Sequence, residues 1–443
     1  MNISPRVNPN FKARFLSTRR KSHIANSRYS MYLGIVAALV FFLIRPSRLG
    51  LDWSLPGTIA FLGIGALCYY LSSRRSVLLN GFMVSGGVIA FWLFISGFSI
   101  AMGASTDTPI KALFLMIMSS IGATLLFSNI KASEYFYRAL ILWVCFSGYS
   151  VLVTDLLVIV GISPAEMKLF HIPVKASDFY NQDGAGDVLF PFSMTYSYVS
   201  WLHFVLPRTT FGFREAGIAQ AIAGWALSSI PFRKERTSPL IIVGLALALI
   251  LAMSATFVLT AAVVFVIWLI YYKWPRWIKI GVLVGGLAMA PLIFQWWLTD
   301  TTVGYASKAG TVSETDRTLA IERSKEEFSH HPFGVGYSNS KVDTDINLIS
   351  SASSLGIEGI AFFASLLIFA HLVRVRAGGT LIPMLPILAT ALTTQPLFDA
   401  GGIYIMMFII YRDRDVTSNG TPKPLQRPKI NPRLTTKRRR SVF

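Results

Sequence analysis

The sequence predicts an all-α polytopic membrane protein with about 12 transmembrane helices. Three observations predict this class. Hydrophobic residues make up 53% of the 443 residues and charged residues only 14%, whereas soluble domains carry about a quarter charged residues. Apolar stretches of about 20 residues, the length that crosses the hydrocarbon core of a bilayer, recur along the chain. Basic residues are concentrated at the two termini and in alternate connections between these stretches.

Two long connecting segments, residues 163–215 and 299–349, divide the candidate spans into three groups. A basic N-terminal segment, 1–28, precedes the membrane domain, 29–411, and a basic tail, 412–443, follows it. The position of each span follows from an apolar run and its flanking charges. The spans are predicted at 29–45, 52–72, 77–100, 109–129, 139–162, 216–231, 239–254, 256–272, 280–298, 350–370, 380–394 and 397–411.

The charge distribution predicts how the chain is oriented. In a soluble protein the net charge of +19 would suggest a nucleic-acid partner. Here the basic runs flank membrane spans, where they contact anionic lipid, so no nucleic acid is expected. The positive-inside rule places both termini in the cytoplasm and both long segments in the periplasm. Arg45 and Arg48, in the first outer loop, are the main exception and are interpreted as snorkelling to the interface.

Residues 187–207 are almost apolar enough to form a further span. A span here would reverse every later loop and place the basic residues Arg233 and Lys234 outside. The stretch is rich in Tyr, Phe, Trp and Val and is interrupted by Pro191 and His203. It is therefore predicted to be a strand-like or interfacial segment on the outer face.

Few ionisable side chains lie within the predicted spans. The clearest are Asp52, Lys111, Asp155 and Asp399, each toward the outer end of its span. Ion-coupled transporters usually carry acids deep in several helices, so this pattern argues against that class. We expect these four side chains to reach the outer interface. The two long outer segments become the better candidates for function, because long ordered loops usually have one.

The first outer segment contains a basic run at the start of the sixth span. Arg208 and Arg214 could hold a phosphate group, because guanidinium groups match phosphate oxygens in a bidentate way. Glu215, next to Arg214, could orient a guanidinium group or accept a proton. The alternative is interfacial anchoring with an Arg–Glu ion pair, which is common at membrane surfaces.

The second outer segment contains a predicted helix at 316–328. Arg317 falls on the face that also carries Ala320 and Ser324, directed with the apolar side of the helix. An arginine there needs an anion, either a structural acid or a ligand phosphate. The glycine-containing turn at 331–336 either brings backbone close to a ligand or simply reverses the chain.

These motifs together resemble those of the O-antigen polymerase (Wzy) and O-antigen ligase superfamily of bacterial envelopes. The similarity is best over about 200–360. Arg208 and the later run Phe213-Arg-Glu-Ala-Gly217 are similar to the family's arginine and its F-x-E-P-G stretch, with Ala216 in place of proline. Arg317 and the 331–336 turn are similar to the family's arginine and its P-[FL]-x-G-x-G turn, which is one residue longer.

A third match is also a departure from the family. Asp345-Ile346, nine residues and then Gly356-Ile-Glu-Gly359 stand where family ligases have His-[Asn/Ser/Gln], nine residues and Gly-x-x-Gly. A register one residue later would place Asn347 at the second position. Because Asp345 replaces the histidine that a ligase needs, the resemblance favours a polymerase over a ligase.

The resemblance implies a glycosyltransferase in the bacterial inner membrane that polymerises polysaccharide repeat units at the outer leaflet. Its donor would be a polyprenyl-pyrophosphate-linked oligosaccharide, and its acceptor would be a hydroxyl group of another lipid-linked repeat. Arg208, Arg214 and Arg317 would hold the departing pyrophosphate, and Glu215 or Asp345 would act as the base. No metal or other cofactor is expected, and a flippase and a chain-length regulator are the expected protein partners.

Two other functions remain open. An O-antigen-type ligase would transfer finished polymer to a lipid or another acceptor. A lipid-linked oligosaccharide transporter would move its substrate across the membrane without any growth in chain length. Arg45 and Arg48 could also contact the carrier phosphate instead of snorkelling, and His331 is a further candidate base.

Overall fold

Most of the helices form in apolar stretches of the sequence, whereas the helix Val312–His330 forms in a charged one. The computed structural model is 71% helical. It describes residues 28–72, 76–172, 185–201, 204–233, 236–254, 256–299, 312–337, 339, 348–393 and 397–409. The helices are α1 (Arg28–Phe41), α2 (Gly50–Tyr70), α3 (Ser76–Ala101), α4 (Asp107–Phe127), α5 (Ile130–Ile159), α6 (Ala216–Ser229), α7 (Pro239–Leu251), α8 (Phe257–Tyr271), α9 (Arg276–Thr299), α10 (Val312–His330), α11 (Ala352–Arg376), α12 (Leu385–Thr393) and α13 (Gly401–Met407).

Five of the described helices are long and apolar enough to cross a membrane. They are α2, Leu79–Ala101 within α3, α4, α5 and α11. Helices α1, α6, α7 and α8 and the segment Ile382–Leu392 are apolar but shorter. Five apolar helices of this length are consistent with a multi-pass membrane protein.

The first long connecting segment folds into a four-stranded antiparallel sheet. Its strands are β1 (Lys168–His171), β2 (Asp187–Leu189), β3 (Ser193–Trp201) and β4 (Phe204–Thr209), in that spatial order. The predicted strand-like character of 187–207 is thereby confirmed, and its aromatic and β-branched residues suit a pleated surface. The all-α class is correct for the helices but wrong for this segment.

Small residues allow the helices to pack closely. A side-chain carbon added at Gly148 on α5 would lie only 2.0 Å from the carbonyl oxygen of Gly244 on α7. A carbon added at Gly65 on α2 would lie 2.5 Å from the carbonyl oxygen of Gly122 on α4. Helices in membranes commonly associate through such small residues, because contact between backbones replaces the missing hydrophobic drive.

Helix α6 lies at the centre of the second group of helices, and all of its residues are buried. Its Gly224 fits between Thr260 on α8 and Pro386 on α12. The buried Gln220 side chain donates to the Leu249 carbonyl at 3.2 Å and accepts from the Thr256 hydroxyl at 3.0 Å. A buried amide that is satisfied in this way avoids the cost of an unpaired polar group in an apolar interior.

The helix ends meet at two opposite ends of the bundle. At the end that carries the sheet, here called the sheet end, Ser47 after α1 forms a β-bridge with Phe213 before α6. At the opposite end, the Asn129 side chain before α5 donates to Ser30 on α1 at 2.9 Å and to the Cys68 carbonyl on α2 at 3.2 Å. The helices joined by these contacts therefore alternate in direction.

Candidate functional site

Three chain segments meet at the sheet end, where helices α2, α6 and α13 begin. Residues 45–48 run antiparallel to residues 212–215: the Arg48 N–H donates to the Gly212 carbonyl at 3.0 Å, and the Arg214 N–H donates to the Pro46 carbonyl at 2.9 Å. The Gly402 N–H donates to the Arg45 carbonyl at 2.7 Å and ties in the start of α13. This junction brings together side chains that are far apart in the sequence.

The junction carries three arginines and two carboxylates, here called the arginine cluster: Arg45, Arg48, Arg214, Glu215 and Asp399. Arg214 Nε lies 3.4 Å from Glu215 Oε1, and Arg45 Nη1 lies 3.9 Å from Asp399 Oδ2. These four side chains retain between 20% and 43% of their exposure, so solvent reaches them. The excess of positive charge and the N-terminus of α6, which begins after Glu215, both favour an anion here.

Arg48 is not the snorkelling side chain that the sequence suggested. It is only 5% exposed, and a side-chain carbon added at Gly186 would lie 2.6 Å from its Nη2 atom. The guanidinium therefore packs on the backbone at the start of β2. The snorkelling interpretation is wrong for Arg48 because the sheet covers the loop that carries it. Arg45 stays partly exposed but pairs with Asp399.

Arg208 lies at the end of β4 and is anchored at the junction between α7 and α8. Its Nε donates to the Met253 carbonyl at 3.1 Å, and its guanidinium carbon lies 5.6 Å from the centre of the Tyr196 ring. The structure thus brings Arg214 and Glu215 into direct contact, as the ion-pair interpretation predicted. Arg208 instead contacts Met253 and Tyr196.

The predicted helix of the second outer segment is confirmed as α10. Ala320 and Ser324 are each 3% exposed, so the face predicted to be buried is buried. The Arg317 side chain and the whole of Asp345 lie outside the described residues.

The glycine turn that follows α10 packs its backbone against α11. The Val335 and Gly336 N–H groups donate to the Ser353 and Ser354 carbonyls at 2.9 and 3.0 Å. A side-chain carbon at Gly356, where φ is +67°, would lie 2.1 Å from the Phe333 carbonyl oxygen. The turn was predicted either to bring backbone close to a ligand or to reverse the chain; its close approach to the backbone of α11 accounts for the glycines.

Asp155 does not reach an interface, contrary to the expectation from sequence. It is 5% exposed on α5, and among the described residues neither carboxylate oxygen has a hydrogen-bond partner. The adjacent Thr154 hydroxyl lies 2.7 Å from the Ser193 hydroxyl and donates to the Phe190 carbonyl at 2.8 Å. The sheet is thus fastened onto the end of α5 next to Asp155. Asp399 is partly exposed and pairs with Arg45, and Asp52 and Lys111 are exposed as expected.

A charged group on the sheet was missed by sequence reasoning. Lys168 Nζ and His171 Nδ1 each lie 2.8 Å from Asp187 Oδ1. Burial alone would raise the pKa of the Asp187 carboxyl, but the hydrogen bonds and charges of Lys168 and His171 outweigh burial and hold that pKa below its usual range. No spacing rule could reveal the group, because a register shift between Lys168 and Phe170 brings both basic residues to one carboxylate.

Compared with models of known protein families and with curated proteins, the chain matches none.

Proposed function

We propose that the protein is a polysaccharide repeat-unit polymerase that joins polyprenyl-pyrophosphate-linked oligosaccharides in the bacterial inner membrane. The arginine cluster is the observation that carries the proposal. It brings the partly exposed guanidinium groups of Arg45 and Arg214 and the N-terminus of α6 to one junction at the ends of apolar helices. A lipid-linked pyrophosphate needs such a place, since its headgroup is anionic while its tail stays in hydrocarbon.

In this proposal the cluster stabilises the leaving group. An acceptor hydroxyl attacks the first sugar of the donor, the bond from that sugar to pyrophosphate breaks, and negative charge develops on the pyrophosphate. Arg45 and Arg214 are exposed enough to contact that charge. Arg208 and Arg317 join them on the family resemblance. Glu215 and Asp345 stay the candidate bases that the resemblance supplies.

We further propose that the chain crosses the membrane twelve times and that the sheet end faces the periplasm. The contacts at the opposite end support this orientation. Arg233, after α6, and Arg138, on α5, both bind Glu134 there, and the positive-inside rule places such basic residues in the cytoplasm. The sugar product would then leave into the periplasm from the end that holds the arginine cluster.

The test is the length distribution of surface polysaccharide in cells that carry variants of the protein. Arg214→Ala should abolish long polymer and accumulate single lipid-linked repeats, because losing one transition-state donor costs about 10²–10³ in rate. Arg214→Lys keeps the charge but loses the bidentate geometry and should restore only short chains. Arg138→Ala, at the opposite end, is the matched control and should leave polymer length unchanged.

Arg317→Ala is expected to give an inserted but inactive protein. Unchanged polymer in both Arg214→Ala and Arg317→Ala would refute the assignment of the site. Normal polymer length with failed attachment to the final acceptor would identify a ligase. Substrate that crosses vesicle membranes without chain growth would identify a transporter.

A further inference from the structure

We propose that His171 is the general base that takes the proton from the acceptor hydroxyl, with Asp187 as the residue that positions it. This inference rests on the proposed polymerase function and names a residue for a step that the family resemblance assigns to a carboxylate. It is carried by three observations: the His171–Asp187 hydrogen bond, the exposure of the two side chains, and the packing of Arg48 against Gly186, which precedes Asp187.

The hydrogen bond fixes which ring nitrogen of His171 can accept a proton. The Asp187 carboxyl is ionised at neutral pH, since its pKa is held low. An ionised carboxylate only accepts, so His171 Nδ1 must donate to Asp187 Oδ1 across the 2.8 Å between them. In the neutral ring Nε2 then carries the lone pair. The same carboxylate–imidazole arrangement orients the base in hydrolase triads.

The exposures of the two side chains suit these two roles. The His171 side chain is 48% exposed, whereas the Asp187 side chain is 12% exposed. A base must be reachable by its substrate, and a positioning group is more effective when it is shielded from water. Lys168 already supplies a counter-ion to Asp187 at 2.8 Å, so neutralising the carboxylate does not require His171.

The pair lies beside the arginine cluster. His171 and Asp187 face each other in the β1–β2 register, where β1 ends and β2 begins. The Ile172 N–H donates to the Gly186 carbonyl at 2.9 Å. Arg48 Nη2 lies within 2.6 Å of the position that a side-chain carbon on Gly186 would occupy. The Arg48 guanidinium therefore packs against the residue that precedes Asp187 in the chain.

The nearest carboxylate of the cluster is less suited to this step. Glu215 faces Arg214 at 3.4 Å, so its negative charge balances the arginine next to the pyrophosphate position. Glu215 is then a counter-ion to Arg214, and His171 on the sheet takes the proton of the acceptor hydroxyl.

The step balances as an ordinary glycosyl transfer. The acceptor oxygen donates an electron pair to the anomeric carbon of the donor sugar while its proton passes to His171 Nε2. The bond from that carbon to the pyrophosphate oxygen breaks, and the bonding pair leaves with the lipid pyrophosphate. The pyrophosphate, held by Arg45 and Arg214, then takes the proton from the imidazolium directly or through water, which restores the base.

The experiment uses the purified full-length protein in nanodiscs, with lipid-linked repeats extracted from cells that lack the gene. His171→Ala should lower the rate of polymer growth by about 10²–10³, and added imidazole should restore part of it. Asp187→Asn should slow the reaction without rescue by imidazole, because the ring is present but wrongly oriented. His330→Ala, an exposed histidine at the end of α10, is the matched control and should keep the wild-type rate.

Two results would overturn the inference. A wild-type rate in His171→Ala removes the base, and a loss that imidazole never rescues makes the residue structural. Neither result contradicts the polymerase proposal. That proposal is refuted if the wild-type protein forms no polymer from these repeats.

Discussion

Replacing Gly356 with alanine should be among the most damaging single-methyl changes in the protein. Gly356 combines a backbone conformation that side chains avoid, with φ +67° and ψ 174°, with direct contact to the turn after α10. Its added carbon would lie 2.1 Å from the Phe333 carbonyl oxygen and 2.7 Å from the Gly334 nitrogen. Both obstacles are backbone atoms, so no side-chain rotation can relieve them.

The expected cost has two parts. Holding a non-glycine residue in this region of φ and ψ costs about 1–3 kcal/mol. Forcing a methyl group into a filled space costs about 1–3 kcal/mol more. The free energy of unfolding of Gly356→Ala should therefore fall by about 2–6 kcal/mol, which is a large part of the stability of an average domain.

Three other glycines separate the two contributions. Gly378 has φ +74° but open space around it, Gly65 has a contact at 2.5 Å without a positive φ, and Gly97 has neither. Gly378→Ala should lose about 1–2 kcal/mol and Gly65→Ala about 1–3 kcal/mol. Gly97→Ala, at an exposed helical position, should gain about 0.5–1 kcal/mol.

The assay is thermal unfolding of the full-length variants in one detergent, followed by the fraction that remains monodisperse. The melting temperatures should fall in the order Gly97→Ala, Gly378→Ala or Gly65→Ala, and Gly356→Ala. A Gly356→Ala variant that melts together with Gly378→Ala would refute the reasoning. It would mean that the turn after α10 does not rest on α11 as described.

Two further predictions concern ion pairs at the two ends of the bundle. Glu134→Gln should destabilise the protein more than Arg138→Gln and lower the free energy of unfolding by about 1–3 kcal/mol. Glu134 Oε1 binds both Arg138 and Arg233, whereas the Arg138 side chain is 43% exposed. The Asp187 pKa is lower in the folded protein, so its ion pairs stabilise the fold above the ordinary aspartate value of about 3.9. That stabilisation is lost as pH falls through the lowered pKa. Melting temperatures of Asp187→Asn should therefore fall less on acidification than those of the wild type. An Asp187→Asn variant with the wild-type dependence on pH would contradict this prediction.

Most helices could be predicted from the sequence because an apolar run of the right length has few alternatives in a membrane protein. The strands in 187–207 were also predictable, since an extra span would have reversed the charge pattern of every later loop. The sheet as a whole was not, because β1 pairs with β2 across residues 172–186, and no local pattern encodes such a pairing.

Only part of the candidate site, likewise, could be predicted from the sequence. Arg214 and Glu215 are adjacent in the chain, so their ion pair could be anticipated. The burial of Arg48 could not, since it depends on the sheet from a segment well over a hundred residues later. The Asp345 prediction concerns a residue outside the described part of the chain and stays a prediction.

The complete enclosure of α6 has a consequence for how the protein responds to its bilayer. Its 14 residues rise about 21 Å, less than the ~30 Å hydrocarbon thickness of a typical membrane. Because protein surrounds α6, this difference exposes no apolar side chain and deforms no lipid. Thickening or thinning of the membrane would tilt peripheral helices such as α2 and α11. The start of α6, which supports the arginine cluster, would keep its depth within the protein, insulated from changes in lipid composition.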